Sequence, residues 1–148
     1  IITNNPDNVT DEKIIYGLYS FAQAKDNIHH FYPNYIDDPE NIDYAKYPIE
    51  TLYEGGGDCE DLTILFMSLL QNCGYKSVMY LTWNETTGHI LPAVQMDTPP
   101  TWNEDDLYSY IEIDEEKYYF AEMTAFGFML GEFPTPMIGW NYTISEIL

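Results

Sequence analysis

Arginine is absent from this chain, and only five lysines stand against 25 acidic residues, giving a net charge of −20 over 148 residues. A surface of that sign repels phosphate backbones and anionic lipid, so nucleic acid is excluded as a partner. It suits a cationic substrate, divalent cations or simple solubility. No apolar run approaches the roughly 18–20 residues that span a membrane, so no membrane span is expected. Cysteine is nearly absent as well, with Cys59 and Cys73 alone. If those two bracket one helix, 14 residues of separation at about 1.5 Å rise put them about 21 Å apart. A disulfide needs Cα atoms within about 7 Å, so both are expected to be free thiols. The chain opens at Ile1 without a leader, which reads as one domain, residues 1–148, excised from a longer surface or secreted protein.

What is present is a core. Apolar residues make up 45% and aromatics 16% of the composition, enough for a folded monomer rather than an acidic tail. Sequons begin at Asn8, Asn84 and Asn141, where chance would give roughly one. Their excess leans towards an extracellular or cell-surface protein.

Thr10 before Asp11 and Glu12 marks a helix start, and apolar spacing from Ile14 to Ile28 predicts one amphipathic helix over residues 11–31. His29 and His30 fall at its end, where cationic side chains suit the dipole. A Pro- and Asp-punctuated connection over 32–50 leads to a helical turn at 48–53. Next comes the most informative segment, Glu54-Gly55-Gly56-Gly57-Asp58-Cys59-Glu60-Asp61. Asp58 is placed to N-cap a buried helix running to Cys73 and stopped by Gly74. Period-two patterning then predicts strands at 77–83, 89–96, 107–113 and 118–124. Pro92 points to a sheet edge or bulge, and the tail from Phe126 reads as a wrapping segment with little regular structure. The class is α+β, with an antiparallel sheet of about four strands.

Cys59 sits where a helix presents unpaired N–H groups and the positive end of its dipole. That position favours thiolate and lowers a cysteine pKa, and the same N–H groups can hold an oxyanion. The glycines before it leave room for a substrate. Cys73 reads instead as a structural, buried thiol. A nucleophile needs a base and the base an orienting group. His89, at a strand start after Gly88, is the histidine placed to reach Cys59. Glu122, a charge within an apolar strand pattern, needs a partner, and His89 is the one at hand.

The segment Tyr47-Pro48-Ile49-Glu50-Thr51-Leu52, then Gly57-Asp58-Cys59-Glu60-Asp61, Gly88-His89 and Glu122-Met123-Thr124, resembles the signatures of the transglutaminase-like superfamily. The likeness is greatest to its bacterial cysteine proteinases and runs over roughly residues 44–131. It implies a papain-like core, with Cys59 at the N-terminus of a central helix packed on an antiparallel sheet. It also implies a hydrolase of peptide or amide bonds working through an acyl-enzyme, with a protein or peptide substrate and no cofactor in the chemistry. Glu122 stands where the family usually has Asp. Ala45 stands where relatives often carry Trp, leaving Tyr47, with Asp58, as candidate oxyanion support. Some relatives bind calcium through carboxylates flanking the cysteine; Asp58 and Glu60 match those positions, and calcium takes such oxygens. Two alternatives stay open. An acyl transferase would use the same three residues to cross-link proteins, and a non-catalytic surface module would keep the fold for binding.

Overall fold

The computed structural model describes residues 9–25, 33–101 and 108–146. His29, His30 and Asn8 lie outside the described residues. The first helix, α1, spans Asp11–Ala22, capped by Thr10, whose hydroxyl accepts from Lys13 N–H, and it buries Ile15, Tyr19 and Ala22. It stops nine residues short of the helix expected over 11–31, because tertiary pairing takes over. Gln23 turns extended, Ala24 N–H donates to Met123 O at 2.7 Å, and Lys25 bridges to Asn34.

Strand β1 (Asn34–Tyr35) pairs in parallel with β2 (Gly56–Gly57), flanking helix α2 (Pro48–Glu54). This two-stranded element has no hydrophobic alternation to announce it. Helix α3, Cys59–Asn72, buries Leu62, Leu65, Phe66, Met67 and Leu70. It closes as expected at Gly74, with φ 85°. Tyr75 N–H reaches Leu70 O and Gly74 N–H reaches Gln71 O, both at 3.0 Å, the doubled bond of a Schellman motif.

The main sheet has five strands in the order β5-β6-β4-β3-β7: β3 Ser77–Trp83, β4 Gly88–Gln95, β5 Tyr110–Ile113, β6 Glu116–Phe120 and β7 Asn141–Glu146. All its pairings are antiparallel. The fifth strand comes from the tail, where the sequence suggested little regular structure. Its side chains from Asn141 to Ser145 are all exposed, so no apolar alternation marks it. Pro92 also departs from expectation, since β4 lies inside the sheet. Its carbonyl accepts from Ala121 N–H at 2.9 Å, so its missing N–H faces the same side, past the last β6 pair, Ala93 with Phe120. The ring removes only the reciprocal bond to Ala121, just beyond the end of β6.

Alternation splits the sheet's apolar residues between two cores. Val94, Met96, Tyr119, Ala121 and Met123 pack with α1 and α3, while Val78, Tyr80, Leu91, Ala93, Tyr118 and Phe120 pack together on the other face with Phe133. Among the described residues no helix is long and apolar enough to cross a membrane.

One buried ion pair ties the connection before α2 to α3. Asp61, fully buried, accepts from Lys46 N–H at 2.7 Å and from Lys46 Nζ at 2.8 Å. Lys46→Met would leave that carboxylate buried and unpaired, a loss of about 3–5 kcal/mol. Adding Asp61→Leu should recover part of the loss, because the stranded charge goes with it. Urea unfolding midpoints of the two variants check this; a Lys46→Met protein as stable as the original would contradict it.

Candidate active site

The glycine run has a packing origin. Gly55 ends α2 in the left-handed region at φ 82°. A Cβ on Gly56 would lie 2.0 Å from Asn34 O, and one on Gly57 would lie 2.4 Å from Asp61 Cβ. Bare backbone is required for β2 to lie against β1 and for Asp61 to reach Lys46. The expectation that these glycines open a path for substrate is therefore corrected.

Asp58 occupies the N-cap position of α3, with extended backbone and its carbonyl accepting from Leu62 N–H, but its side chain makes no capping bond. Asp61, three residues on, turns to Lys46 rather than to the cap. One Asp58 oxygen, Oδ1, is buried without a hydrogen-bond partner. Burial, a hydrogen bond to Glu60 and the charges of Glu60, Asp61 and Asp38 push the Asp58 carboxyl up to about 7.

Cys59, half-buried at the first position of α3, donates from Sγ to Glu60 Oε2 at 3.3 Å. Burial pushes its thiol up to about 12; the Ile90 N–H directed at the sulfur opposes this, and the carboxylates of Glu60 and Asp58 add to it. The helix-start argument anticipated a lowered value. Carboxylates on both sides of the cysteine, together with burial, reverse the sign. Cys73, expected to be buried, is exposed at the C-cap of α3, and both cysteines are free.

His89 lies in the second position of β4, opposite Thr82. Its Nε2 is 2.8 Å from Glu122 Oε2. Glu122 is not on a strand as anticipated, since β6 ends at Phe120. Its carboxylate is nonetheless almost completely enclosed, and Oε1 accepts from Thr124 N–H at 2.7 Å and Thr124 Oγ1 at 2.6 Å. Burial alone would raise its pKa, but the bonds from His89 and Thr124 and the attraction of His89 outweigh that, holding it below the ordinary glutamate range.

Cys59 and His89 line one cleft of about 520 Å³ with Glu60, Asp43, Ala45 and the apolar residues Ile64, Met79, Leu81, Trp83 and Ile90. The chain is similar to Legionella pneumophila LapG in calcium-bound form, at 26% identity. That likeness covers 62% of this chain and 50% of the LapG chain, with a TM-score of 0.45. The present chain thus spans half of LapG's length. No protein-family model and no curated protein matches it.

Of the other expected positions, Tyr47 is 70% exposed. It N-caps α2, with its N–H donating to Glu50 Oε2 at 2.8 Å, and it does not line the cleft. Asn84 sits at the tip of the β3–β4 hairpin, its Oδ1 accepting from Thr86 and Thr87 N–H. Asn141 opens β7 across from Trp83.

Several residues went unforeseen. Asp38 and Asp43 join Glu60 in a cluster whose ligand oxygens lie within 4.8 Å of one another; the expected pairing was Glu60 with Asp58. Behind Glu122, Gln23 Nε2 lies 3.0 Å from Glu122 O, 2.9 Å from Ala125 O and 2.7 Å from Tyr19 Oη. Lys46 carried the one legible signal, since each of five lysines in so acidic a chain is a scarce countercharge.

With Glu60 bonded to the thiol, its removal should ease ionisation. In a Cys73→Ser background, Glu60→Gln should move the pH profile of Cys59 alkylation by iodoacetamide down by about one pH unit. Mass spectrometry of the labelled peptide reads the shift; a profile that stays put or moves up would contradict it.

Proposed function

We propose that this chain is a cysteine-dependent hydrolase of amide or peptide bonds, with Cys59 as nucleophile, His89 as base and Glu122 as the group that orients the base. The observation that carries this reading is the 2.8 Å contact between His89 and an almost fully buried Glu122, at a cleft that Cys59 also lines. With Nε2 donating to Glu122, the other imidazole nitrogen, Nδ1, is the one that accepts the proton.

In the reaction His89 takes the Cys59 proton as sulfur attacks the substrate carbonyl. The C=O π pair moves to oxygen, and N–H groups at the start of α3 hold that oxyanion. Collapse expels the amine, which takes the proton from the imidazolium, and leaves a thioester. Water, deprotonated by His89, adds to the thioester; the acid departs and the thiol is regenerated. Because the thiol lies high while bonded to Glu60, its ionisation is coupled to proton transfer rather than complete beforehand.

Calcium fits the donor set. Asp38, Asp43 and Glu60 offer oxygen ligands close together, and the partnerless Asp58 Oδ1 lies one residue from Cys59. These residues would hold the ion, which supplies neutralisation of the carboxylates that crowd the thiol.

Two measurements test the reading. Cys59→Ala should abolish release of amine from casein or a model amide while leaving the melting temperature unchanged. Adding a primary amine separates hydrolysis from transfer, because a transferase gives the amine adduct in place of the acid. Calcium in millimolar excess should raise the melting temperature of the Cys59→Ala protein, and Asp43→Asn should remove that rise. Equal melting in calcium and in chelator would dismiss the ion.

A further inference from the structure

The α3-facing side of the β3–β4 hairpin continues past the end of the helix. Deeper in the sheet this face is sealed, with Val94 fully buried in the helix core. Nearer the hairpin tip it is uncovered. Met79, Leu81 and Trp83 recur at every second residue of β3, paired with Pro92, Ile90 and Gly88 of β4. Alternation therefore puts all six on one face. Met79, Leu81 and Ile90 are half-buried, and Trp83 is 41% exposed. Gly88 opposite Trp83 carries no side chain, so no side chain covers the indole from β4 at that register.

This apolar floor belongs to the cleft that holds Cys59 and His89. Its side walls differ in character: Ile64 and Ala45 are apolar, whereas Asp43 and Glu60 present carboxylates. A bulky aliphatic or aromatic side chain would remove apolar surface from water on both partners. With no calcium on Asp43 and Glu60, an acidic side chain would meet two like charges in a confined space.

We propose that Leu81, Trp83 and Ile90, with Met79 and Ile64, form a specificity subsite for one bulky apolar side chain of an extended peptide, next to the bond attacked by Cys59. This rests on the reading of Cys59 as nucleophile, and continuity of the floor with the cysteine fixes the occupant as substrate. In the calcium-free protein the subsite rejects Asp and Glu at that position.

The test separates binding from turnover. In Cys73→Ser protein held in chelator, acetylated and amidated alanine pentapeptides with Leu, Phe, Ala or Glu at the centre are titrated as protectants of Cys59 against iodoacetamide. Leu and Phe peptides should protect at concentrations roughly tenfold or more below the Ala peptide, and the Glu peptide should not protect. Leu81→Asp should erase the preference. Trp83→Ala, at an exposed position, should weaken it, and gives a second test if Leu81→Asp fails to fold. Equal protection by all peptides, no protection by any, or a preference unaltered by both variants would overturn the subsite. Preferential protection without any cleavage of the Leu peptide, in chelator or in calcium, would leave the subsite standing and count against the hydrolase. Cleavage with no preference would do the reverse.

Discussion

The buried pair of Lys46 and Asp61 is the constraint on which the site geometry rests. Asp61 lies within the first turn of α3 with no exposure to solvent, and Lys46 meets it with both its backbone N–H and its ammonium. Desolvating such charges costs several kcal/mol, and the pair repays this only through close geometry and further hydrogen bonds. Asp38 at 3.8 Å and Glu54 at 3.7 Å add weaker attraction to the same ammonium. The consequence is positional. A long stretch without regular structure is pinned to the start of α3, which brings Asp43 and Ala45 to the cleft wall. Gly57 is bare because Asp61 fills the space beside it. The segment that looks like a substrate path in the sequence is a packing contact, and the cleft lined by Cys59 and His89 is bordered by β3 and β4 instead.

A second constraint follows from the charge imbalance. Two of the five lysines are committed to ion pairs, Lys46 to Asp61 and Lys76 to Glu116. Neither pairs with the acids beside Cys59, and the charges of Asp58 and Glu60 both bear on the thiol. A helix N-terminus normally favours thiolate. Here the local field from two flanking carboxylates, in a half-buried setting, has the opposite sign. The Ile90 N–H is the compensating group, and it comes from the strand that carries His89. Strand β4 therefore holds both His89 and a donor to the sulfur, so the docking of α3 on β4 sets the surroundings of the thiol as well as packing the core. Thr63 Oγ1, donating to Ile90 O at 3.4 Å, is part of that docking.

Elements with strong periodicity were legible in the sequence: α3 with its glycine stop, the β3–β4 hairpin to within a residue, and the position of Cys59 at a helix start. So was the pairing of His89 with Glu122, which the structure forms at 2.8 Å. The misses share a cause, since each depends on a contact distant in sequence. The end of α1 is set by Met123, about a hundred residues away; β1 and β2 exist only through each other; β7 exposes both its faces. The acidic cluster draws Asp38 and Asp43 from the pinned connection, and no local spacing announces that they meet Glu60. The reversed pKa of Cys59 was written in Asp58 and Glu60 themselves, but its size depends on burial, which a linear pattern does not carry.

The position of Glu122 shows how a part of the chain outside the motifs takes part in the site. The carboxylate lies beyond β6, so no ladder fixes its backbone. That role falls to α1 and its C-cap, where Tyr19 and Gln23 reach Glu122 O and the carbonyls of Ala125 and Phe128. Tyr19 is also packed against Phe66 of α3, with ring centroids 5.8 Å apart. One aromatic residue thus links the helix that carries the thiol to the loop that carries the acid. Both polar side chains are buried, so each hydrogen bond is costly to leave unmade. A network of this kind tolerates few alternative arrangements, which is how a loop can hold a carboxylate as firmly as a strand would. The extra methylene of Glu122 relative to aspartate is taken up in the same place. Thr124 grips one carboxylate oxygen through two donors and leaves the other for His89, so the longer side chain has a defined direction.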